Sequence, residues 1–580
     1  MKWNAISKTG ADAGAVMLAR GGLSVLLACA AAAYAAAFGF GFVGMFNDDA
    51  RYVLAAKSLL AGHYSSDFIP ISHPIDNVLP GYPLAMAPFL ALGGTGAVKL
   101  LSAAATLLGI WAAFLCFGFA AAAVYALHPL VIGLSHTAMT EPLYTAWTVA
   151  ALYFLKKSDW KLSPALTAFC VFASWIRPEG FLFLLAIAPA CAAKLDRKER
   201  WLYGISAALF FAAPYARNLA VSGVPICYFR EIVHGSTAGE TLAKLWPVFR
   251  LNSLFYFGAS GGAAFVNGWA SSPFDIPAAA AALFWVAMAA GMAAAFRSQD
   301  RVLASAARYI ILMTGFHLLW MNRDMRYLAP LIPFMLPALL AGLPRRAALA
   351  AGTAAAALAA FGGIRFALAP AAAVQRTAPA RTFAWLKANT APGDYLMAQS
   401  PAAYALNTGR KVYPLLAADD PDIWYAGLLD SGTRYVVCED SSLIATAQER
   451  TGMRDRAFAN TVLWTADKSR FRPVFEYAVE RVAVFAAAPP AGFAGDLAAM
   501  AAARQLSVEG KDSQAVAALR ALEKKKAPLK RLDFTLGTAL LLNGHAAQSL
   551  PYLERAAKTE PDFSRAAANL KAARSAAGAK

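Results

Sequence analysis

The sequence predicts a polytopic α-helical membrane protein of about eleven transmembrane helices, with a small soluble α/β domain and a C-terminal α-helical repeat segment. Three observations carry this reading. Of 580 residues, 59% are hydrophobic and only 15% charged, where an ordinary soluble domain carries about 25% charged residues. The apolar runs approach the ~20 residues that a helix needs to cross a bilayer. The basic residues between those runs recur in alternate loops, as membrane orientation requires.

The spans are expected at 21–44, 98–117, 119–135, 139–155, 162–176, 178–194, 201–220, 277–296, 303–321, 326–343 and 347–366. Lys2, Lys8 and Arg20 precede the first. Lys156, Lys157 and Lys161 follow the fourth, and Lys194, Arg197, Lys198 and Arg200 follow the sixth. Arg297 and Arg301 follow the eighth, and Arg345 and Arg346 the tenth. Alternating spans put all of these in the cytoplasm, with the N-terminus, and put the C-terminus outside. The first run lacks a cleavage site and outlasts a signal-peptide core, so it is read as a retained span. The basic residues behind the net charge of +18 thus lie largely in short loops between apolar runs. No basic-aromatic motif points to nucleic acid.

Three regions follow: a membrane domain over 1–366, an external α/β domain over 367–490 and helical repeats over 491–580. The second mixes a helix signal at Arg381–Lys387 with strand-like runs at Tyr435–Cys438 and Ala478–Phe485, punctuated by turns. Pro489–Gly492 reads as a linker. Beyond it Gly510 and Gly544, Ala515 and Ser549, and Leu519 and Leu553 all stand 34 residues apart, close to the tetratricopeptide period. The alternative is a plain helical hairpin. A chain stopped near Pro490 is therefore expected to fold, insert and act on a small substrate without the repeats, losing only coupling to a larger substrate or to an external protein partner. Cys29, Cys116, Cys170 and Cys191 read as small core residues. Cys227 and Cys438 lie outside the membrane, with no spacing that calls for a disulfide.

The polar residues near the membrane collect in the loops assigned to the outer face. They are Asp48 and Asp49, His136 and Glu141, Arg177 and Glu179, and Arg323, Asp324 and Arg326. Charges at a bilayer edge are costly unless paired or used, and their convergence on one face points to a single external site. A carboxylate can take the proton of an attacking hydroxyl, and an arginine fork suits a phosphate. Each has a structural alternative. One Asp of the pair can cap the helix that starts at Ala50. Arg326, Arg323 and Arg177 can be snorkelling anchors. Glu141 and Glu179 can answer helix N-termini. No His/Cys cluster calls for a metal, so no cofactor is required; a divalent ion would have to use His136, His73 and Asp48.

Asn47-Asp-Asp-Ala-Arg-Tyr52, Leu79-Pro-Gly-Tyr-Pro83, Thr140-Glu-Pro-Leu-Tyr144, Arg177-Pro-Glu-Gly180, Arg326-Tyr-Leu-Ala-Pro330 and Thr408-Gly-Arg410 together resemble the GT-C superfamily of integral membrane glycosyltransferases. The likeness covers about residues 20–440 and is nearest the branch of protein O-mannosyltransferases and lipid-A aminoarabinose transferases. It implies a bacterial cytoplasmic-membrane enzyme that moves a sugar from a polyprenyl-phosphate donor to a glycan, lipid or protein acceptor outside. It implies a catalytic base at Asp48 or Asp49, with Asp48 favoured, and donor-phosphate binding by Arg326, Arg323 and Arg177. Glu141, Glu179, His136 and Tyr82 would then touch substrate. Two other classes compete: a transporter or flippase of lipid-linked saccharides, for which no repeat of spans is visible, and a non-catalytic assembly protein.

Overall fold

The computed structural model describes residues 10–39, 42–223, 238–257, 278–320, 324–368, 378–439 apart from 417 and 419, 460–559 and 563–578. The chain divides into two compact units, Met1–Ala378 and Pro379–Lys580.

The first unit is helical. Its elements are α1 Gly10–Ala37, α2 Asp48–Leu60, α3 Gly81–Phe117, α4 Phe119–Leu127, α5 Pro129–Ser135, α6 Thr140–Lys157, α7 Pro164–Ile176, α8 Gly180–Ala192 and α9 Arg197–Ser222. Then come α10 Ala238–Phe257, α11 Ala278–Arg297, α12 Arg301–Leu318, a 3-10 helix Met325–Leu331, α13 Ile332–Leu340 and α14 Arg345–Ala367. Among the described residues, α3 and α14 are long and apolar enough to cross a membrane by themselves. Shorter apolar helices include Pro164–Ile176, Gly180–Ala192 and Ala282–Arg297.

Several expected spans differ in detail. The run 119–135 is two helices, because Pro129 has no N–H to continue the ladder and forces His128 into extended backbone (φ −66°, ψ 128°). The first span ends at Ala37, short of 44. The run 326–343 opens as a 3-10 helix containing Pro330 and becomes α-helical only at Ile332. Helix α3 begins at the Pro-Gly-Tyr-Pro motif and bends at Gly93–Gly94, where Gly94 takes φ 64°. The loop 221–276 contains α10, whose Asn252 Nδ2 donates to the last carbonyls of α12, His317 O at 3.0 Å and Leu318 O at 3.1 Å. Cys227 and Arg323 lie outside the described residues, and the described cysteines are free thiols.

The second unit starts with α15 Ala380–Asn389, β1 Tyr395–Ala398, α16 Pro401–Thr408, β2 Val412–Pro414, α17 Pro421–Asp430, β3 Thr433–Glu439, β4 Phe471–Tyr477 and β5 Val482–Ala487. The sheet order is β2-β1-β3-β5-β4. The first three strands are parallel, and β5 and β4 run antiparallel. Helices α18 Phe493–Val508, α19 Asp512–Lys524, α20 Leu532–Leu542, α21 Ala546–Thr559 and α22 Ser564–Ala576 complete it.

The 34-residue offset is structural. Gly510 (φ 73°) and Gly544 (φ 78°) both end a helix in the left-handed conformation. Ala515 and Ser549, and Leu519 and Leu553, are fully buried. A Cβ on Gly537 would meet Leu553, so close approach of α20 and α21 requires glycine there.

The segment 489–492 does not separate two cores. Trp424, Tyr425 and Phe471 of the sheet layer share one hydrophobic cluster with Phe493, Met500, Leu519 and Leu536 of the helices. The fully buried Asp422 pairs with Arg470 and accepts from Lys530 N (2.9 Å) and Arg531 N (3.0 Å). A linker reading from Pro and Gly alone missed this because apolar helix faces, not the connecting residues, decide where a domain ends.

Candidate active site

The site is built from five ends of helices in the first unit. Asn47, with φ 60°, turns the chain into α2 so that Asp48 and Asp49 stand at its first two positions. The Arg177-Pro-Glu-Gly turn joins α7 to α8. A Cβ on Gly180 would run into the backbone of Ala173 and Ser174, so this reversal tolerates only glycine. A Cβ on Gly81 would likewise strike the backbone of Trp175, which explains the glycine between Pro80 and Tyr82 and seats α3 against the end of α7. Glu141 opens α6, and Arg326 opens the 3-10 helix, whose N-cap is Asp324.

These ends meet in one ionic network. Arg326 Nη2 donates to Asp48 Oδ2 at 2.9 Å. Its Nε lies 3.0 Å from Asp324 Oδ2 and 4.0 Å from Glu141 Oε1. Glu141 Oε1 stands 2.7 Å from Arg177 Nη1. Arg177 donates also to Glu179 Oε1 at 2.9 Å and Thr140 Oγ1 at 2.8 Å. Both guanidiniums lie over the ring of Tyr327, at 5.8 Å for Arg177 and 5.2 Å for Arg326. Tyr327 in turn stacks on His317 at 5.3 Å. Beneath the network Tyr309 Oη donates to Tyr144 Oη at 3.0 Å, tying α12 to α6.

Burial divides the labour. Glu141 is 1% exposed and Arg177 8% at the side chain, whereas Asp48 keeps 37%. Asp324 keeps 33%, so Asp48 and Asp324 are the two acids of the network that a bound molecule can reach. Two guanidiniums answer four carboxylates here, so each arginine is already held by protein anions. Arg177 is an internal strut between Thr140, Glu141 and Glu179. Glu179 stands at the N-cap position of α8 but makes no cap bond; its carboxylate goes to Arg177 instead. A buried charge needs such a partner more than a helix terminus does.

Asp49 has a different place. Its Oδ2 accepts from Gly44 N at 2.8 Å, and its Oδ1 from Phe46 N at 3.2 Å and Ala50 N at 2.9 Å. It thus fastens the loop that brings the Phe46 ring to 5.3 Å from Arg326. Burial raises the Asp49 carboxyl to about 6, against the lowering effect of those N–H groups. The folded value lies above the ordinary carboxylate value near 4. Between the two the folded chain holds the proton more tightly, so this group's contribution to stability falls as pH rises and levels off above about 6. Asp49→Asn is expected to remove that slope. Thermal unfolding of parent and variant should converge or cross between pH 4 and 6.5 as the parent loses its advantage, with turnover of the variant within about tenfold of the parent. A constant offset across that range would show that Asp49 does not titrate there.

Tyr82 is buried, edge-on to Tyr52 at 5.2 Å, with Oη 3.5 Å from Ser102 Oγ. His136 is buried at the end of α5 with Nδ1 3.0 Å from Ile132 O. His73 is exposed, with Nδ1 3.1 Å from Pro74 O. Among the described residues no group of His, Cys, Asp and Glu has a geometry that could hold a metal ion. Asp324, which the sequence placed among the polar residues of the outer face, completes the network with Tyr327, His317 and Thr140, to which the sequence patterns gave no role.

Helices carrying buried arginine–carboxylate pairs at their joined ends define a helical architecture with a polar site at the helix ends. Solved structures share that fold. The chain is similar to the crystal structure of ArnT from Cupriavidus metallidurans in the apo state, with 16% identity, 83% of this chain and 100% of that chain covered, and a TM-score of 0.50. It is also similar to ArnT from the same organism bound to undecaprenyl phosphate, with 14% identity, 81% and 100% covered, and a TM-score of 0.52. No protein-family model and no curated protein matches the chain.

Proposed function

We propose that the protein is a membrane glycosyltransferase that takes a sugar from a polyprenyl-phosphate carrier and passes it to an acceptor on the outer face of a bacterial cytoplasmic membrane. The observation that carries this is the partly exposed Asp48 carboxylate held by Arg326 at the convergence of five helix ends. The fold likeness to an ArnT that binds undecaprenyl phosphate supports the choice of donor.

The reaction follows from the groups present. An acceptor hydroxyl oxygen attacks the anomeric carbon, its proton passes to Asp48, and the carbon–oxygen bond to the phosphate breaks with the electron pair leaving on the polyprenyl phosphate. Arg326 Nη2, 2.9 Å from Asp48 Oδ2, holds that carboxylate in place for the transfer. Its guanidinium fork also suits an anionic phosphate leaving group. Binding that phosphate requires Arg326 to share its fork between the donor and its carboxylates. Arg177 holds Glu141 and Glu179, which shape the wall of the site.

Purified protein should form a glycosylated product from one member of a panel of polyprenyl-phosphate sugars, and lack of any transfer across the panel would remove the reading. Arg326→Lys keeps the charge but loses the fork that spans Asp48 and Asp324. Donor affinity should weaken by about tenfold, and further in Arg326→Ala. Parent-like donor binding by both variants would make Arg326 a support for Asp48 alone.

A further inference from the structure

We propose that the first unit carries a binding site for an anionic glycerophospholipid, at the ends of α6 and α7 remote from the ionic network. Glu141 opens α6 and Arg177 closes α7 at the network. Helix α6 has 18 residues, so its far end stands about 25 Å from Glu141. The positive-inside rule assigns that far end to the cytoplasm. A shallow hollow of ≈ 410 Å³ opens there between α6 and α7, with Phe154, Lys157, Ser158, Ser163, Leu166 and Phe169 in its lining.

Its rim is polar and held in place. Asp159 (φ 52°) and Trp160 (φ 65°) turn the chain in the left-handed conformation, which is costly for residues other than glycine. Trp160 is buried, and its N–H donates to Leu155 O at 2.7 Å, which fixes the loop from Ser158 to Ser163. Asp159, the one carboxylate of that loop, pairs with Lys194 and lies 3.9 Å from Arg301. Lys156 turns to the last carbonyls of α3, with Nζ 3.2 Å from Cys116 O. Lys157 is exposed, and its ammonium makes no ion pair or hydrogen bond among the described residues. Ser163 Oγ accepts from Leu166 N at 3.2 Å and keeps its own O–H to donate. An ammonium and a hydroxyl, both donors, suit a phosphate.

The floor of the hollow continues as a row of rings. Phe154 meets Phe169 edge-on at 5.6 Å, and Phe169 stacks on Trp147 at 4.3 Å. Phe172 follows at 4.9 Å from Trp147, then Trp175 at 6.1 Å from Phe172, stacked on Phe210 at 4.7 Å. All six rings keep some exposure. Both indole N–H groups are consumed by main-chain carbonyls, Trp147 Nε1 by Phe169 O at 2.7 Å and Trp175 Nε1 by Phe210 O at 2.9 Å. The row thus presents rigid, apolar surface to whatever lies along it. A rim of donors at the head of an apolar track, on the basic side of a membrane unit, fits a lipid with an anionic head. A phosphate without chains would leave the track unused, and a zwitterionic head would bring a second cation to Lys157. The site rests on the first unit's crossing a membrane and not on sugar transfer, so its failure would leave that reaction untouched.

Native mass spectrometry of the full-length protein in detergent tests it, with phosphatidylglycerol and phosphatidylcholine of matched acyl chains as competing probes and glycerol 3-phosphate as the head without chains. The parent should retain one phosphatidylglycerol at least about fivefold over phosphatidylcholine and retain no glycerol 3-phosphate. Lys157→Gln removes no contact of the fold and should lose most of that preference, while Lys157→Arg should keep it. Lys198→Gln, which removes a charge of α9 outside the hollow, should leave it unchanged. Equal retention of the two lipids overturns the proposal, as does retention of glycerol 3-phosphate. So does a preference that survives Lys157→Gln, or one that Lys198→Gln lowers as much.

Discussion

Replacing Asp48 by Asn is expected to cut turnover by about 10²–10⁴ while leaving lipid-donor affinity close to that of the parent. Asn keeps the size of the side chain and an oxygen for Arg326, which Asp324 continues to hold from the other side. The network should therefore keep its shape and lose only the group that takes a proton. A loss confined to the chemical step lowers kcat and kcat/KM together. Steady-state transfer by parent, Asp48→Asn and Asp49→Asn separates the adjacent acids: the first variant should be severely impaired and the second little. Near-parent turnover by Asp48→Asn would end the general-base proposal for that residue. The reverse order would move the role to Asp49, against the three backbone N–H groups that engage it.

The charged part of this site was legible because charge is scarce in so apolar a chain. Asp48, Glu141, Arg177, Glu179 and Arg326 stand out at the ends of hydrophobic runs, and each is costly to bury alone. Their meeting in one network follows from that cost. What each of them touches was not legible. Neighbouring residues in a helix point about 100° apart, so a sequence cannot say which of Asp48 and Asp49 turns toward Arg326 and which toward the loop 44–46. Tyr327 and His317 look like any aromatic and histidine in apolar surroundings, and only the fold stacks them.

The helix breaks were partly written in the sequence. Pro129 and Pro330 sit inside expected spans and could have signalled the interruptions found there. The α/β topology was not. Strand β1 has 4 residues and β2 has 3, too few for a period-two pattern, and strand order is a long-range property that no local signal fixes. The 34-residue repeat was visible because Gly510 and Gly544 end helices in a conformation that disfavours other residues.

The shared core reverses the expectation for a shortened chain. Stopping at Pro490 removes α18–α22 and with them Phe493, Met500, Leu519, Leu536 and Leu540 from the cluster around Trp424, Tyr425 and Phe471. Each large apolar side chain returned to water costs about 1.5–3 kcal/mol, so several exceed a good part of the ~5–15 kcal/mol that keeps a domain folded. Asp422, with no exposure, would also lose the N–H groups of Lys530 and Arg531 that help satisfy its charge. We expect the truncated chain to leave residues 379–490 open to limited proteolysis, with shifted tryptophan emission from Trp424 and Trp464, while the helical first unit stays resistant in detergent. The hydrophobic cluster holds that segment only if its helical half is present. A truncated chain whose 379–490 segment resists protease like the parent would show instead that the α/β layer folds alone and that the repeats are a separable attachment.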